Sequence, residues 1–445
     1  MKFAALLKSA ALVSAVALIP ATTATMAQVD GRAGPEFAKL FATYQQIKAN
    51  YVEDVDDEKL IRGAIDGMLS SLDPHSGYLD GSDLQRLNTM IDGNYSGLGL
   101  SVVMDDGAVK IISPFRGSPA EGAGIKAGDY ITHLDGKLIY GGDLDDAVSQ
   151  MRGTAGTSIR LTVFRPGRDE PFDVTVTRGV IELEPVTQSL ESGNIGVISV
   201  NEFSRDVGAD VFAAWQKLRR EASGRVNGLV LDLRSNPGGS LDEAVALSDL
   251  FLDKGRIVSQ RGRATGETIF YDAETVYRGE IAKDLPIIVL IDAGSASASE
   301  IVAGALQDHR RAVVMGEQSF GKGSVQTLLP LSRDSALKLT TARYYTPAGK
   351  SVQEGGIKPD IRVPQLSDPD LERRAKFQLR ESDLRGHLVN ELALEDNALE
   401  TDKQDDPRFQ LTSAELKEQG VDDFQLHYAL DTLRRTAPSA IARAN

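Results

Sequence analysis

The sequence predicts a multi-domain α/β protein. Its expected parts are a helical N-terminal segment, a small, partly open β-barrel with short helices, an α/β layered domain, and a charged, partly helical C-terminal tail. Three observations predict this. Apolar residues first recur with helical spacing, and from Asn94 the pattern changes to period two with frequent glycines. From Asn194, short Val/Ile/Leu runs alternate with helical stretches. At 445 residues the chain also exceeds one ordinary core.

Residues 1–27 read as a targeting segment. Lys2 and Lys8 supply the positive end, SAALVSAVALIP the apolar run, and small residues allow cleavage after Ala24 or Ala27. The expected destination is export, to a bacterial periplasm, with a secreted or membrane-associated protein as alternatives. The apolar run is short for a bilayer span, so retention as an anchor is the weaker reading. Residues 28–93 form the helical region. Phe37, Leu40, Phe41 and Tyr44 follow i, i+3, i+4, i+7 spacing, and Leu60, Ile61, Ile65, Met68 and Leu69 nearly so. Glu53 to Glu58 separates the two helices, LDPHSGYLD stops the second, and DLQRLNTMID reads as a short third helix.

Residues 94–180 form the barrel, with a hairpin at Asp106-Gly107, a short helix at Asp143–Met151 and a strand pair in TSIRLTVFRPGRDEPFDVTVT. Residues 181–365 form the layered domain. IGVISV, GLVLDLR, PIIVLIDA and RAVVMG suit strands covered on both faces. DVGADVFAAWQKLRREA, SLDEAVALSDLFL and SASEIVAGALQDH are the helices between them. Residues 366–445 are charged, with helical islands around a mobile acidic middle and a possible role in dimerisation.

Composition narrows the chemistry. Lys and Arg number 49 against 64 Asp and Glu, a net charge of −15, which argues against nucleic acid and anionic lipid as partners. The chain has no cysteine, and its five histidines lack ligand spacing, so neither a metal nor another cofactor is expected. GEQSFGKGSVQ (Gly316–Gln326) superficially resembles a phosphate-binding loop, but Gly323 stands where a magnesium-binding Ser or Thr is required. ATP is also absent from the destination of an exported protein.

One place looks built to expose a hydroxyl. In DAGSASASEIVAGAL a buried strand enters a cluster of small residues and a helix follows. Ser295, Ser297 and Ser299 compete for that role. Ser299, beside Glu300, reads partly as helix capping, whereas Ser297 falls at the strand-to-helix position that strained nucleophiles prefer. Turn and capping roles for all three are the bland alternative. A serine needs a base. Lys322 serves only if burial, beside apolar groups such as Phe320, keeps it neutral, and neutral Gln326 can hold the amine without favouring its cation. Asp308-His309 offers a Ser-His-Asp runner-up, but twelve residues of helix separate His309 from Ser297.

GSASASE (Gly294–Glu300) and GEQSFGKG, with the serine and lysine 25 residues apart (297 to 322), resemble the paired signature of the carboxyl-terminal processing (tail-specific) peptidases. LDPHSGYL, GLGL, LDLRSNPGG and YYTPAGKSVQEGGIKPD extend the resemblance over most of the chain, and it thins after Val363. It implies a layered β-β-α, crotonase/Clp-like protease core. Ser297 is then the nucleophile, Lys322 the base, and Gln326, one helical turn later, the residue orienting the lysine. The amides of Gly239 and Ala298 form the corresponding oxyanion hole.

YSGLGLSVV, followed by GSPAEGAGIKAGD, is similar to the carboxylate-binding loop of PDZ domains. The amides of Leu98, Gly99 and Leu100 would converge on a chain-terminal carboxylate, and the next strand would accept a peptide. Ala123 and Ile125 lie in the same signature, and Asp129 closes its turn. The implied activity is a serine endopeptidase that captures unfolded C-terminal tails of proteins, gated by its PDZ module. The implied partners are such substrates, an adaptor or activator protein, and further copies of the chain in a homodimer or larger homo-oligomer. A catalytically inactive PDZ scaffold built on a protease core is the alternative.

Overall fold

The computed structural model describes residues 34–436 except 82, 85–86, 88–93, 106, 115–117, 127, 140–143, 169, 183–184, 264–267, 275–280, 368–379, 385, 391–408 and 410. The expected targeting segment, most of the helix expected at DLQRLNTMID and the acidic middle of the tail lie outside the described residues. Contacts divide the chain after Met68 into two units. The first holds α1 (Gly34–Asn50) and most of α2 (Asp57–Ser70). The Tyr44 hydroxyl donates to Asp57 Oδ1 at 2.7 Å, and Lys48 pairs with the same carboxylate at 2.7 Å, fastening the two helices. Phe37, Leu40 and Phe41 form an exposed apolar stripe on α1.

In the second unit, β1 (Gly77–Asp80) precedes a barrel-like region. β2 (Asn94–Gly97) pairs with β9 (Gly179–Glu182). β3 (Leu100–Asp105), β4 (Ala108–Pro114), β5 (Tyr130–Leu134), β7 (Ser158–Phe164) and β8 (Phe172–Thr177) run in that order, with β6 (Lys137–Leu138) beside β5. The β3–β4 turn is the expected hairpin, with Gly107 at φ 77°. α3 (Pro119–Gly122) and α4 (Leu144–Met151) are its helices. Val109, Ile111, Ile131, Leu161 and Val163 fill its core with almost no exposure.

The layered region is built on a six-stranded sheet. Its order is β10 (Val186–Glu191), β11 (Ile195–Val200), β12 (Gly228–Asp232), β15 (Ile287–Ile291), β16 (Val313–Gly316) and β19 (Ile361–Arg362), parallel from β11 onward. Successive side chains point to opposite faces, so each apolar run serves two cores. Leu229, Leu231, Val289 and Ile291 pack with α5 (Val207–Glu221), α6 (Leu241–Asp249) and α7 (Ala298–Asp308). Val230, Ile288 and Leu290 face the other way, onto Leu416, Phe424, Ala429, Leu430 and Leu433. Those residues belong to α8 (Ser413–Glu418) and α9 (Phe424–Thr436).

The C-terminal residues are therefore part of this core, and the expected boundary at 365/366 does not separate them from it. Gly228 makes the approach possible, since a Cβ there would meet the Leu433 side chain at 3.3 Å. A buried ion network pins the same helix. Arg234, on the LRSN loop, reaches Asp232 and, at 2.7 Å, Asp423. A second sheet orders β1, β18 (Ser335–Tyr345), β13 (Arg256–Gly262) and β14 (Thr268–Asp272), with β17 (Ser324–Pro330) pairing β18.

Candidate active site

Strand β15 ends at Ile291, and after six intervening residues α7 starts at Ala298. The three serines between them and at the helix start have different fates. Ser295 Oγ donates to Leu233 O at 2.8 Å, and Ser299 Oγ to Asn236 O at 3.0 Å, so both fasten this turn to the LRSN loop and are fully buried. Ser297 keeps slight exposure, and among the described residues its hydroxyl has the Tyr344 hydroxyl in reach, at 3.5 Å. Its backbone stands at φ 54°, ψ −110°, a conformation that costs a non-glycine residue about 1–3 kcal/mol.

The glycine-rich turn after β12 lies against Ser297. A Cβ on Gly238 would sit 2.8 Å from both Ala296 O and Ser297 Cβ, and one on Gly239 would collide with Phe203 O. Only glycine permits this approach, and Gly238 and Gly239 stand at φ 103° and 144°. Among the described residues, the amides of Gly239 and Ala298 have no backbone acceptor.

Lys322 arrives on the loop between β16 and β17. Phe320 N donates to Ser295 O at 3.0 Å, and Gly323 N to Gln353 Oε1 at 3.1 Å. Burial lowers the Lys322 amine from the ordinary lysine value and the nearby Lys338 cation adds to this, while Glu381, Glu300 and Asp73 act in the opposite sense. Gln326 does not follow Lys322 by a helical turn as expected. It lies on β17, where a register shift occurs, and its amide donates to Ser324 Oγ at 3.0 Å and Thr340 Oγ1 at 3.2 Å. The structure thus brings Ser297 and the Lys322 loop to one place without hydrogen-bonding the serine, lysine and glutamine side chains to one another.

Glu300 ties the two halves together. Its carboxylate is fully buried and accepts from Ser297 N at 2.7 Å, Ser319 Oγ at 2.6 Å, Gly321 N at 2.7 Å and Lys322 N at 3.0 Å. Burial pushes its pKa up to about 7 against the pull of those four donors. The sequence reading placed helix capping at Ser299 beside Glu300 and found none of these four bonds, one of which runs from Ser297 N. The Ser-His-Asp runner-up is excluded by position. His309 caps the far end of α7, roughly 18 Å along the helix from Ser297, with Nε2 at 2.6 Å from Arg256 O. Asp308 meanwhile accepts from Ala348 N. Among the described residues, no three His, Asp or Glu side chains cluster as metal ligands.

Near the barrel's open edge, Gly99 adopts φ 73° between Leu98 and Leu100, and a Cβ there would collide with Ser118. Leu98 O accepts from Ala120 N at 2.9 Å, which sets the loop against α3. Beyond it, among the described residues, β3 pairs only with β4 and leaves its outer edge open. Asp129 closes its turn by accepting from Lys126 N and is held well below the usual carboxylate range, where Arg165 outweighs the cost of burial.

Comparison with known proteins accords with this geometry. The family described as "Peptidase family S41" matches residues 194–363, a PDZ domain family matches 96–176, and "Activating protease CtpB N-terminal domain" matches 8–82. The carboxy-terminal-processing protease of Bartonella bacilliformis is 44% identical over 400 residues, covering 90% of this chain and 88% of that protein. The carboxy-terminal processing protease CtpB of Bacillus subtilis is 37% identical over 82% of this chain and 74% of its own. Among solved structures, the photosystem II D1 C-terminal processing protease aligns at a TM-score of 0.49 and 31% identity, over 79% of this chain and 93% of that one. The chain belongs to the S41 carboxy-terminal-processing peptidases.

Membership makes this a serine-type peptidase family member carrying a PDZ domain, as the sequence resemblance implied. The S41 match ends at Val363, so the C-terminal residues that complete the core lie beyond it. Sequence reasoning also missed Tyr344, the hydroxyl facing Ser297, and Asp73 in LDPHSGYL. The Asp73 carboxylate accepts from Thr340 Oγ1 at 3.1 Å, and Thr340 in turn accepts from Gln326. The LDPHSGYL motif was the available signal, but a turn-rich stretch does not announce a tertiary partner.

Proposed function

We propose that this protein is a serine endopeptidase that cleaves unfolded C-terminal tails of exported proteins by a Ser–Lys mechanism. Ser297 attacks the scissile carbonyl and forms an acyl-enzyme. Neutral Lys322 takes its proton and returns it to the leaving amine, and water then releases the acyl group. The amides of Gly239 and Ala298 receive the oxyanion. The observation that carries this reading is the placing of a strained, nearly unpartnered serine and a buried lysine on two loops joined by one carboxylate.

In the present arrangement Gln326 serves Ser324 and Thr340. Orienting Lys322 requires it to exchange those partners, so we read this as a resting form. Peptide capture by the PDZ module, through the Leu98–Gly99–Leu100 amides and the β3 edge, is the proposed gate. An adaptor or activator protein, a homo-oligomer and a periplasmic destination belong to the same proposal. The purified mature protein, incubated with a disordered casein-like substrate, tests it: Ser297→Ala and Lys322→Ala should each abolish cleavage. Wild-type cleavage by either variant removes the mechanism, and an inactive wild type under activating conditions favours the scaffold.

A further inference from the structure

Residues 380–390 lie beyond the S41 match yet close onto the loop that carries Lys322. Glu381 N donates to Phe320 O at 3.3 Å. Its side chain is fully buried and its carboxylate accepts from His75 Nε2 at 2.9 Å and from Gln353 Nε2 at 3.0 Å. The same Gln353 accepts from Gly323 N, next to Lys322. A few residues on, His387 Nε2 and Asn390 N each meet the Glu354 carboxylate at 2.8 Å, and Glu354 N donates to Gly321 O at 2.9 Å. The lysine loop is therefore gripped at Phe320, Gly321 and Gly323 by one C-terminal strap and the turn it holds.

We propose that Glu381 is a positioning residue for the base: through Gln353 it fixes the backbone beside Lys322, and its buried charge sets how readily that amine gives up its proton. The proposal rests on the Ser–Lys reading above.

A buried carboxylate without donors would be pushed up and neutralised. Here burial is outweighed by the hydrogen bonds from His75 and Gln353, so Glu381 is held below the ordinary glutamate range. The charged groups acting on the amine are Lys338 on β18, which favours the neutral form, and Glu381, Glu300 and Asp73, which favour the cation. Glu381 thus moderates a base that burial and Lys338 drive down. A lysine with too low a pKa would accept the serine proton poorly. His75 belongs to LDPHSGYL, and this contact gives that motif a second link to the site, separate from that of Asp73.

The test uses full-length Glu381→Gln and Glu381→Ala, with kcat and KM measured across pH on a disordered substrate. The Lys322 amine is also titrated directly by its 13Cε resonance in a Ser297→Ala background, assigned through Lys322→Arg. Glu381→Gln keeps the shape and removes the charge, so the Lys322 titration and the acidic limb of kcat/KM should both move to lower pH. Glu381→Ala should cut kcat about tenfold or more with KM within about twofold, the signature of a displaced loop. Should Glu381→Ala fail to fold, Glu381→Gln carries the test alone. An unmoved Lys322 titration in Glu381→Gln overturns the proposal. The Ser–Lys reading fails separately, if Lys322→Ala still cleaves, while the titration continues to report on Glu381.

Discussion

On the proposed mechanism Lys322 acts without its proton, and the same burial that lowers its pKa weakens the fold. Its folded pKa lies below the unfolded value, so the buried ammonium subtracts stability below the folded pKa, and stability rises as pH climbs from there toward the ordinary lysine value. Lys322→Met should therefore lose cleavage by about 1,000-fold or more while its thermal midpoint at neutral pH stays equal or rises. Calorimetry beside a peptide-cleavage assay checks this, and a clearly lower midpoint contradicts it. Glu300 presents the opposite case. All four of its partners are donors, so Glu300→Gln places an amide nitrogen against N–H groups and should cut kcat about 100-fold. Its raised pKa also has a sign: the stability it supplies is full below the unfolded glutamate value and is lost as pH rises through about 7. Comparing wild-type and Glu300→Gln unfolding between pH 5 and 8 isolates that slope. The turn carrying Ser297 and the loop carrying Lys322 stood out in the sequence because small residues follow an apolar run there and because GSASASE and GEQSFGKG form a paired signature. Glu381 was not legible. Its partner His75 is 306 residues away, and no local pattern marks a glutamate in a charged tail as buried.

At the level of elements, continuous apolar runs predicted β11, β12, β15 and β16 because each is covered on both faces. The same reasoning stopped short of asking what covers the second face. The answer is α9, whose Phe424, Ala429, Leu430 and Leu433 are diluted among polar residues and read as a weak helical island. A large buried side chain contributes about 1.5–3 kcal/mol, so four or five of them exceed the margin of most domains. Ending the chain at residue 411 should expose Val230, Ile288 and Leu290 and give an insoluble or molten protein, whereas removal of a dispensable tail would leave yield and urea midpoint unchanged. A finer probe is Asp423→Ala. It strips one partner from a buried guanidinium that keeps Asp232, so a cost of about 2 kcal/mol in urea unfolding is expected.

Across the whole molecule, a peptidase that reads chain ends must distinguish a terminal carboxylate from an internal peptide bond. On the proposed reading the barrel supplies the two things such a reader needs, the amides of Leu98 to Leu100 and a β3 edge left unpaired among the described residues. A hydrogen bond to a charged group contributes about 1.5–3 kcal/mol, so amidating a substrate's C-terminus should lower kcat/KM by about 10- to 100-fold. The loop itself can be tested against the same pair of substrates. Gly99 stands at φ 73° with Ser118 against its Cα, so Gly99→Val must move the backbone that presents the amides. That variant should cleave the free acid as slowly as wild type cleaves the amide, and should no longer distinguish the two. Because both changes remove one interaction, their effects should not add. Equal cleavage of acid and amide by wild type rules out carboxylate capture. A Gly99→Val enzyme that still prefers the acid moves the recognition site elsewhere on the chain.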